Sequence, residues 1–212
     1  MGPYKRNQVE EAIYKTLGAR DKRIDELRFR LKRLLVADRR LGTRVGSNRE
    51  EKRNYAFYSA RPPGSGVEVM FSGYEAFAIL TAIILLEHGL PQLSVVKIMR
   101  LIRKQYEMAH VATLAKDPAK LFDEREILKQ ALPGMIATDN TDPVFLVFAG
   151  LTGSSVDPHN PAVAVCRRGE LGEFFGKHNG KATTFFDVVG LMHKLAVNLS
   201  QTSPSKRGRG TS

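Results

Sequence analysis

Apolar positions first recur at helical spacing. In QVEEAIYKTL, residues 8–17, Val9, Ala12, Ile13 and Leu17 fall at three- and four-residue steps, and Gly18 supplies a stop. A longer stripe follows in IDELRFRLKRLLVADRRLG, where Ile24, Leu27, Leu31, Leu34 and Leu35 share one face and Gly42 is placed to end the helix. Residues 43–54 (TRVGSNREEKRN) are polar, lack a period and contain Gly46, so they read as a mobile connector. Then YAFYS and VEVMFS, each with strand propensity and partial alternation, flank ARPPGSG. The pattern predicts a β-hairpin over about 55–72, with Pro62 and Pro63 at its exposed tip, where a missing amide breaks no pairing.

Ser72 and Glu75 have the S-x-x-E spacing of a capping box, which starts an apolar helix through EAFAILTAIILLEH ending at Gly89. Past Pro91, LSVVKIMRLIRKQYEMAHVATLAK reads as an amphipathic helix with Val95, Ile98, Met99 and Ile102 inward and Arg100, Arg103 and Lys104 outward. Asp117-Pro118 ends it, and AKLFDEREILKQAL is predicted as a third helix before Pro133-Gly134. Beyond residue 136 the period changes: DPVFLVFAG and PAVAVCRRGE read as strands joined by the loop LTGSSVDPHN, and TTFFDVVGLMHKLAVNLS as a closing amphipathic helix. The final SPSKRGRGTS is too poor in apolar residues to pack and is expected to be disordered.

Charge changes this picture by its distribution. The chain of 212 residues carries a formal net charge of +11. Residues 1–61 hold 17 Lys or Arg against 8 Asp or Glu, a balance of +9, and the remainder contributes +2. An anionic partner is therefore expected to meet the N-terminal third. The single cysteine excludes an intramolecular disulfide framework and a Cys-rich zinc module. The N-terminal sequence has no apolar core of a secretory signal, and the longest apolar run, Ala76 to Leu86, is about half a membrane span, so a cytoplasmic location without membrane contact is expected. Asn198-Leu199-Ser200 is then a chance glycosylation sequon.

Catalytic chemistry finds little footing. His88, His110, His159, His178 and His193 make no H-E-x-x-H or other paired ligand pattern, and Cys166 lies in a strand with no nucleophile signature around it. Asp139, Asn140 and Asp142 before Pro143 suit an Asx-type turn, and the glycines of GSG and GLTGSS lack the lysine of a phosphate loop. No enzyme activity, metal or cofactor is expected.

The order of a hairpin, Phe71-Ser72, Glu75, an apolar helix, His88-Gly89-Leu90-Pro91 and a helix opening with Val95-Val96 resembles the winged helix-turn-helix of the MerR family over residues 24–104. The resemblance implies a dimeric transcription regulator, with the basic helix from Ile24 to Arg40 at DNA and Arg61 at the wing tip. It departs from the family in the length of the basic helix, the long connection to the wing and the lack of a long dimerising coiled coil. Independently of the family, a helix fits a major groove and a two-stranded ribbon can follow the backbone beside it.

The expectation is therefore an α+β protein: a mostly helical winged helix-turn-helix N-terminal domain over 1–135, followed by a small α/β C-terminal domain over 136–202 for dimerisation or partner contact, and a basic tail over 203–212. Double-stranded DNA is the expected partner, met by Arg23, Arg28, Arg30, Lys32, Arg33, Arg39, Arg40, Arg44, Lys52, Arg53 and Arg61. A homodimer is expected, with Phe185, Val188, Val189, Met192 and Leu195 as a candidate face that alternatively covers the protein's own sheet. A nucleic-acid factor without regulatory purpose, and an adaptor for acidic protein partners, stay open beside the regulator.

Overall fold

The computed structural model describes residues 3–18, 24–63, 67–150 and 162–204. Arg23, the hairpin tip Gly64-Ser65-Gly66, the loop 151–160 and the tail from residue 205 lie outside the described residues. The protein is α+β, largely helical with two small antiparallel sheets. The chain divides into two compact units, residues 1–96 with 194–212, and residues 97–193.

In the first unit, β1 (Tyr4–Lys5) leads directly into α1 (Arg6–Leu17), which ends at Gly18. There the backbone turns left-handed at φ 62°, a conformation open to glycine without a side-chain penalty. Next come α2 (Ile24–Leu41) and a short α3 (Glu50–Arg53). Then β2 (Met70–Phe71) precedes α4 (Gly73–Glu87), and α5 (Gln92–Leu114) begins. The capping box forms as its spacing predicts: Ser72 Oγ accepts the Glu75 amide at 3.1 Å, and Glu75 Oε2 accepts the Ser72 amide at 2.7 Å. Leu27, Leu31, Leu34 and Leu35 of α2 and nearly all of α4 are buried.

The hairpin does not form between the described residues of 55–72. Met70 and Phe71 pair with Lys5 and Tyr4 instead, supported by the Lys5–Glu68 ion pair at 3.1 Å. The reason lies in competing hydrogen bonds and burial. Ala56, Phe57 and Tyr58 are all buried, which an alternating strand cannot achieve. The amides of Ala56 and Phe57 each donate to the Asp38 carboxylate at 3.0 Å, and the Ser59 hydroxyl donates to Glu75 at 2.7 Å. A segment tied to two buried carboxylates has its donors committed away from a ladder. The connector 43–54 also holds more structure than its composition predicts, since α3 forms and the Arg44 amide donates to the Lys52 carbonyl at 2.7 Å.

The end of the closing helix belongs with this unit. Asn198 Nδ2 donates to Thr16 Oγ1 at 2.9 Å, and Gln8 Nε2 donates to the Thr202 carbonyl at 3.2 Å.

The second unit contains the remainder of α5, two short helices α6 (Pro118–Leu121) and α7 (Glu124–Gln130), and a three-stranded sheet of β3 (Val144–Ala149), β4 (Ala162–Arg167) and β5 (Thr183–Asp187) in the order β4-β3-β5. Between β4 and β5 lies α8 (Leu171–Lys177), and α9 (Val189–Ser200) follows β5. Central β3 is buried along its whole length, as its continuous apolar sequence requires.

Three expectations are corrected here. The single helix AKLFDEREILKQAL is two, because Asp123 Oδ1 accepts the Arg125 amide at 2.9 Å and starts a new helix in mid-segment. The closing helix begins later than predicted: Thr183 to Asp187, rich in β-branched and aromatic residues, pair with β3, and the Asp187 carboxylate accepts the Val189 amide at 2.9 Å. Arg100 and Arg103 are 2% and 7% exposed, so they are not on a wet face, whereas Lys104 is. Both arginines fall at helical spacing from Val96, on the buried side of α5. Of the candidate dimer face, Val188, Val189, Met192 and Leu195 are buried within the chain, whereas Phe185, on β5, remains exposed.

Replacing Asp38 with alanine removes the acceptor of two buried amides and is expected to destabilise the first unit by about 2–4 kcal/mol, against a smaller loss for Asp38→Asn, which keeps one oxygen. Urea unfolding of the three proteins measures the difference; equal midpoints would contradict the role given to Asp38.

Candidate nucleic-acid interface

The four leucines and Asp38 of α2 face inward, which turns the opposite side of the same helix to solvent. That outward side is not simply basic. Phe29, Lys32, Arg33, Val36 and Arg40 each stand three or four residues from another of the set and are all exposed. With Leu41 and the first residues of α5, Gln92 and Leu93, they line an open groove of about 650 Å³. The groove is held together by Gln92 Nε2, which donates to the Arg33 carbonyl at 3.2 Å. Arg33 also lies over the Phe29 ring at 5.6 Å, within cation–π range. Three cations and no carboxylate line this groove.

The expected contact residues divide on inspection. Arg28 is engaged by Glu10 at 3.4 Å and Asp25 at 3.3 Å, and Arg30 by Glu26 and by Glu87 at 3.7 Å. Both remain partly exposed, so these pairs are weak, but their charge is locally balanced. Lys32, Arg33, Arg39 and Arg40 have no ion pair with a carboxylate among the described residues and are exposed. Arg44 is exposed and, through its amide, held beside Lys52, while Arg53 pairs with Glu50 at 3.3 Å. Arg61 sits in a different groove, of about 500 Å³, with Pro62, Pro63, Tyr58, Glu68 and Glu75. Two carboxylates in that lining make it a poorer seat for an anion. Burial raises the Tyr58 phenol to about 12, with Arg39 and Arg6 pulling the other way, so the hydroxyl stays a neutral hydrogen-bonding group.

Phe29, Val36 and Leu41 were absent from the residues expected at the site. Phe29 and Val36 carried a signal in the sequence, as apolar positions seven residues apart on the side of α2 opposite the leucines, whereas Leu41, seven residues after Leu34, did not.

Other chemistry-bearing clusters have structural explanations. Cys166 is buried and burial raises its thiol pKa, the opposite of an activated nucleophile. Buried Asn140 donates to Asp139 at 3.1 Å and to Asp187, and its Oδ1 accepts the Asp142 amide at 3.1 Å, the Asx turn anticipated before Pro143. Asp142 holds Arg167 through two contacts at 2.8 and 2.7 Å and also meets Lys116. No group of three or more potential metal ligands occurs among the described residues. No helix there is long and apolar enough to cross a membrane. Comparison with protein-family models, with curated proteins and with solved structures finds no match to this chain.

His110 and His193 form the other notable pair. Burial, with His193 nearby, lowers His110 to about 4, and burial lowers His193 as well. His193 packs edge-on against Phe122 at 5.6 Å. Because the folded pKa of His110 lies below the unfolded value near 6.5, its neutral form stabilises the fold fully above about pH 6.5, and that contribution is lost as pH falls toward 4. Between pH 7 and 4.5 the wild type is expected to lose about 2–3 kcal/mol more stability than His110→Gln, read from urea unfolding at the two pH values. Parallel pH dependence of the two proteins would contradict this.

Proposed function

We propose that this chain is a nucleic-acid-binding protein whose contact surface is the outward side of α2. One observation carries the reading: Lys32, Arg33, Arg39 and Arg40 stand exposed on one helix with no carboxylate paired to them, in the part of the chain that holds +9 of its +11 charge. Positive charge that internal ion pairs do not use is available to neutralise phosphates and release their counterions. Arg44 and Lys52, drawn together after α2, extend the same supply of charge along the chain. Arg28 and Arg30 contribute less, since each would have to leave a carboxylate. The broader class is proposed because the ribbon that a winged regulator lays along a duplex has no counterpart in the pairing of residues 55–63 and 67–72.

Regulation of transcription at one operator is the narrower form of the proposal. It requires selection from a random duplex pool to enrich a single motif, bound at least about a thousandfold more tightly than random duplex at physiological salt.

The direct test is salt-dependent binding to labelled oligonucleotides. The logarithm of affinity is expected to fall with the logarithm of salt at a slope of about 3–4, as four phosphate contacts imply, and the triple variant K32A/R33A/R40A to lower that slope by about 2–3. All three positions are exposed, so the variant is expected to fold. Retention by the variant with unchanged slope would reject α2 as the contact surface. Failure of the wild type to bind any nucleic acid at physiological salt, with capture of an acidic protein partner instead, would replace the proposal with the adaptor reading.

A further inference from the structure

The groove beside Phe29 contains more than phosphate contacts need. Neutralising a backbone takes cations alone, yet here an aromatic ring stays 59% exposed at the N-terminal end of the cationic stripe, although Arg33 already lies over it. Leaving a phenylalanine in water forgoes the stabilisation that burial elsewhere would supply. The residues around it are those that hold a base. Phe29 and the guanidinium plane of Arg33 offer stacking faces, Lys32 stands beside them and Arg40 lines the groove further along α2, and Gln92 retains its side-chain oxygen as an acceptor while its nitrogen is held by the Arg33 carbonyl. At about 650 Å³ the groove is within the range of about 300–1,000 Å³ typical of small-ligand sites.

We propose that Phe29 is a stacking platform for an unpaired nucleobase, so that the α2 surface prefers single-stranded nucleic acid to continuous duplex. The inference rests on the nucleic-acid reading of α2 and specifies which form of nucleic acid it takes. Inside a duplex both faces of every base are already stacked on neighbours, and a phenylalanine on a helix surface reaches neither. In a single strand each base has a free π-face, and aromatic stacking adds to the phosphate contacts without requiring a particular sequence. An acidic amphipathic helix, which would use the apolar positions Phe29, Val36, Leu41 and Leu93 of the same groove, is the rival occupant, and binding to neither nucleic-acid probe below would favour it.

The test uses the full chain and two labelled probes of equal length, oligo(dT) of about twelve nucleotides and its duplex with oligo(dA), with binding read by fluorescence anisotropy at low salt. The wild type is expected to bind the single strand about tenfold or more tightly than the duplex. Phe29→Leu, which keeps apolar bulk without the ring, is expected to lose that preference, Phe29→Tyr to keep it, and neither to change duplex affinity. Thermal unfolding of both variants is expected to match the wild type, since the side chain is exposed. Equal affinity for both probes, unaffected by Phe29→Leu but weakened for both by K32A/R33A/R40A, would overturn the platform and leave the nucleic-acid reading standing. Binding to neither probe would overturn both.

Discussion

Once Leu27, Leu31, Leu34 and Leu35 are committed to the interior, the 3.6-residue repeat of α2 decides the side taken by every other residue of that helix. Burying four leucines is worth on the order of 6–12 kcal/mol as an upper estimate. Repulsion between neighbouring exposed cations costs a few tenths of a kcal/mol per pair. The apolar term wins by an order of magnitude, so the cations accept one another's company and concentrate on the outer side together with Phe29 and Val36. Asp38 extends the inward stripe by one more turn and uses its carboxylate to receive the chain at Ala56 and Phe57. The same residue that ends the buried stripe thus fixes the segment following α3.

That connection explains where the sequence could and could not be read. The periodicity of α1, α2 and α5 survives intact because tertiary packing and local propensity favour the same answer, while α4 was legible from its continuous apolar run and from the Ser72–Glu75 box, which needs only residues three apart. The failures share another cause. YAFYS has the composition of a strand, but its amides are taken by Asp38, eighteen and nineteen residues earlier, and no local pattern announces such a partner. TTFFD reads as helix when joined to the periodic run behind it, whereas pairing with Val147 and its neighbours in β3 makes it a strand. Arg100 and Arg103 were assigned to solvent by residue type although their spacing placed them with Val96, on the buried side.

At the site, residue type was legible and availability was not. Every cation expected on α2 from Arg28 onward is there, but only coordinates reveal that Arg28 and Arg30 face Glu10, Asp25, Glu26 and Glu87, while Lys32, Arg33 and Arg40 open into a groove. Glu10 belongs to a different helix and Glu87 lies 57 positions from Arg30, so neither pairing follows from sequence spacing. The apolar part of the groove was legible in principle, because Phe29 and Val36 are seven residues apart on the side opposite the leucines. Leu93 joins them only through the placement of α5 beside α2, seen in the Gln92–Arg33 hydrogen bond.

The central claim is one of location, that nucleic acid meets the outward side of α2. Ultraviolet cross-linking of the intact protein to a single-stranded oligonucleotide, followed by peptide mapping, addresses it directly. The account predicts that the adduct falls within residues 28–41, with Phe29 the favoured position. An adduct confined to residues 97–193, or equal labelling across the chain, would contradict it.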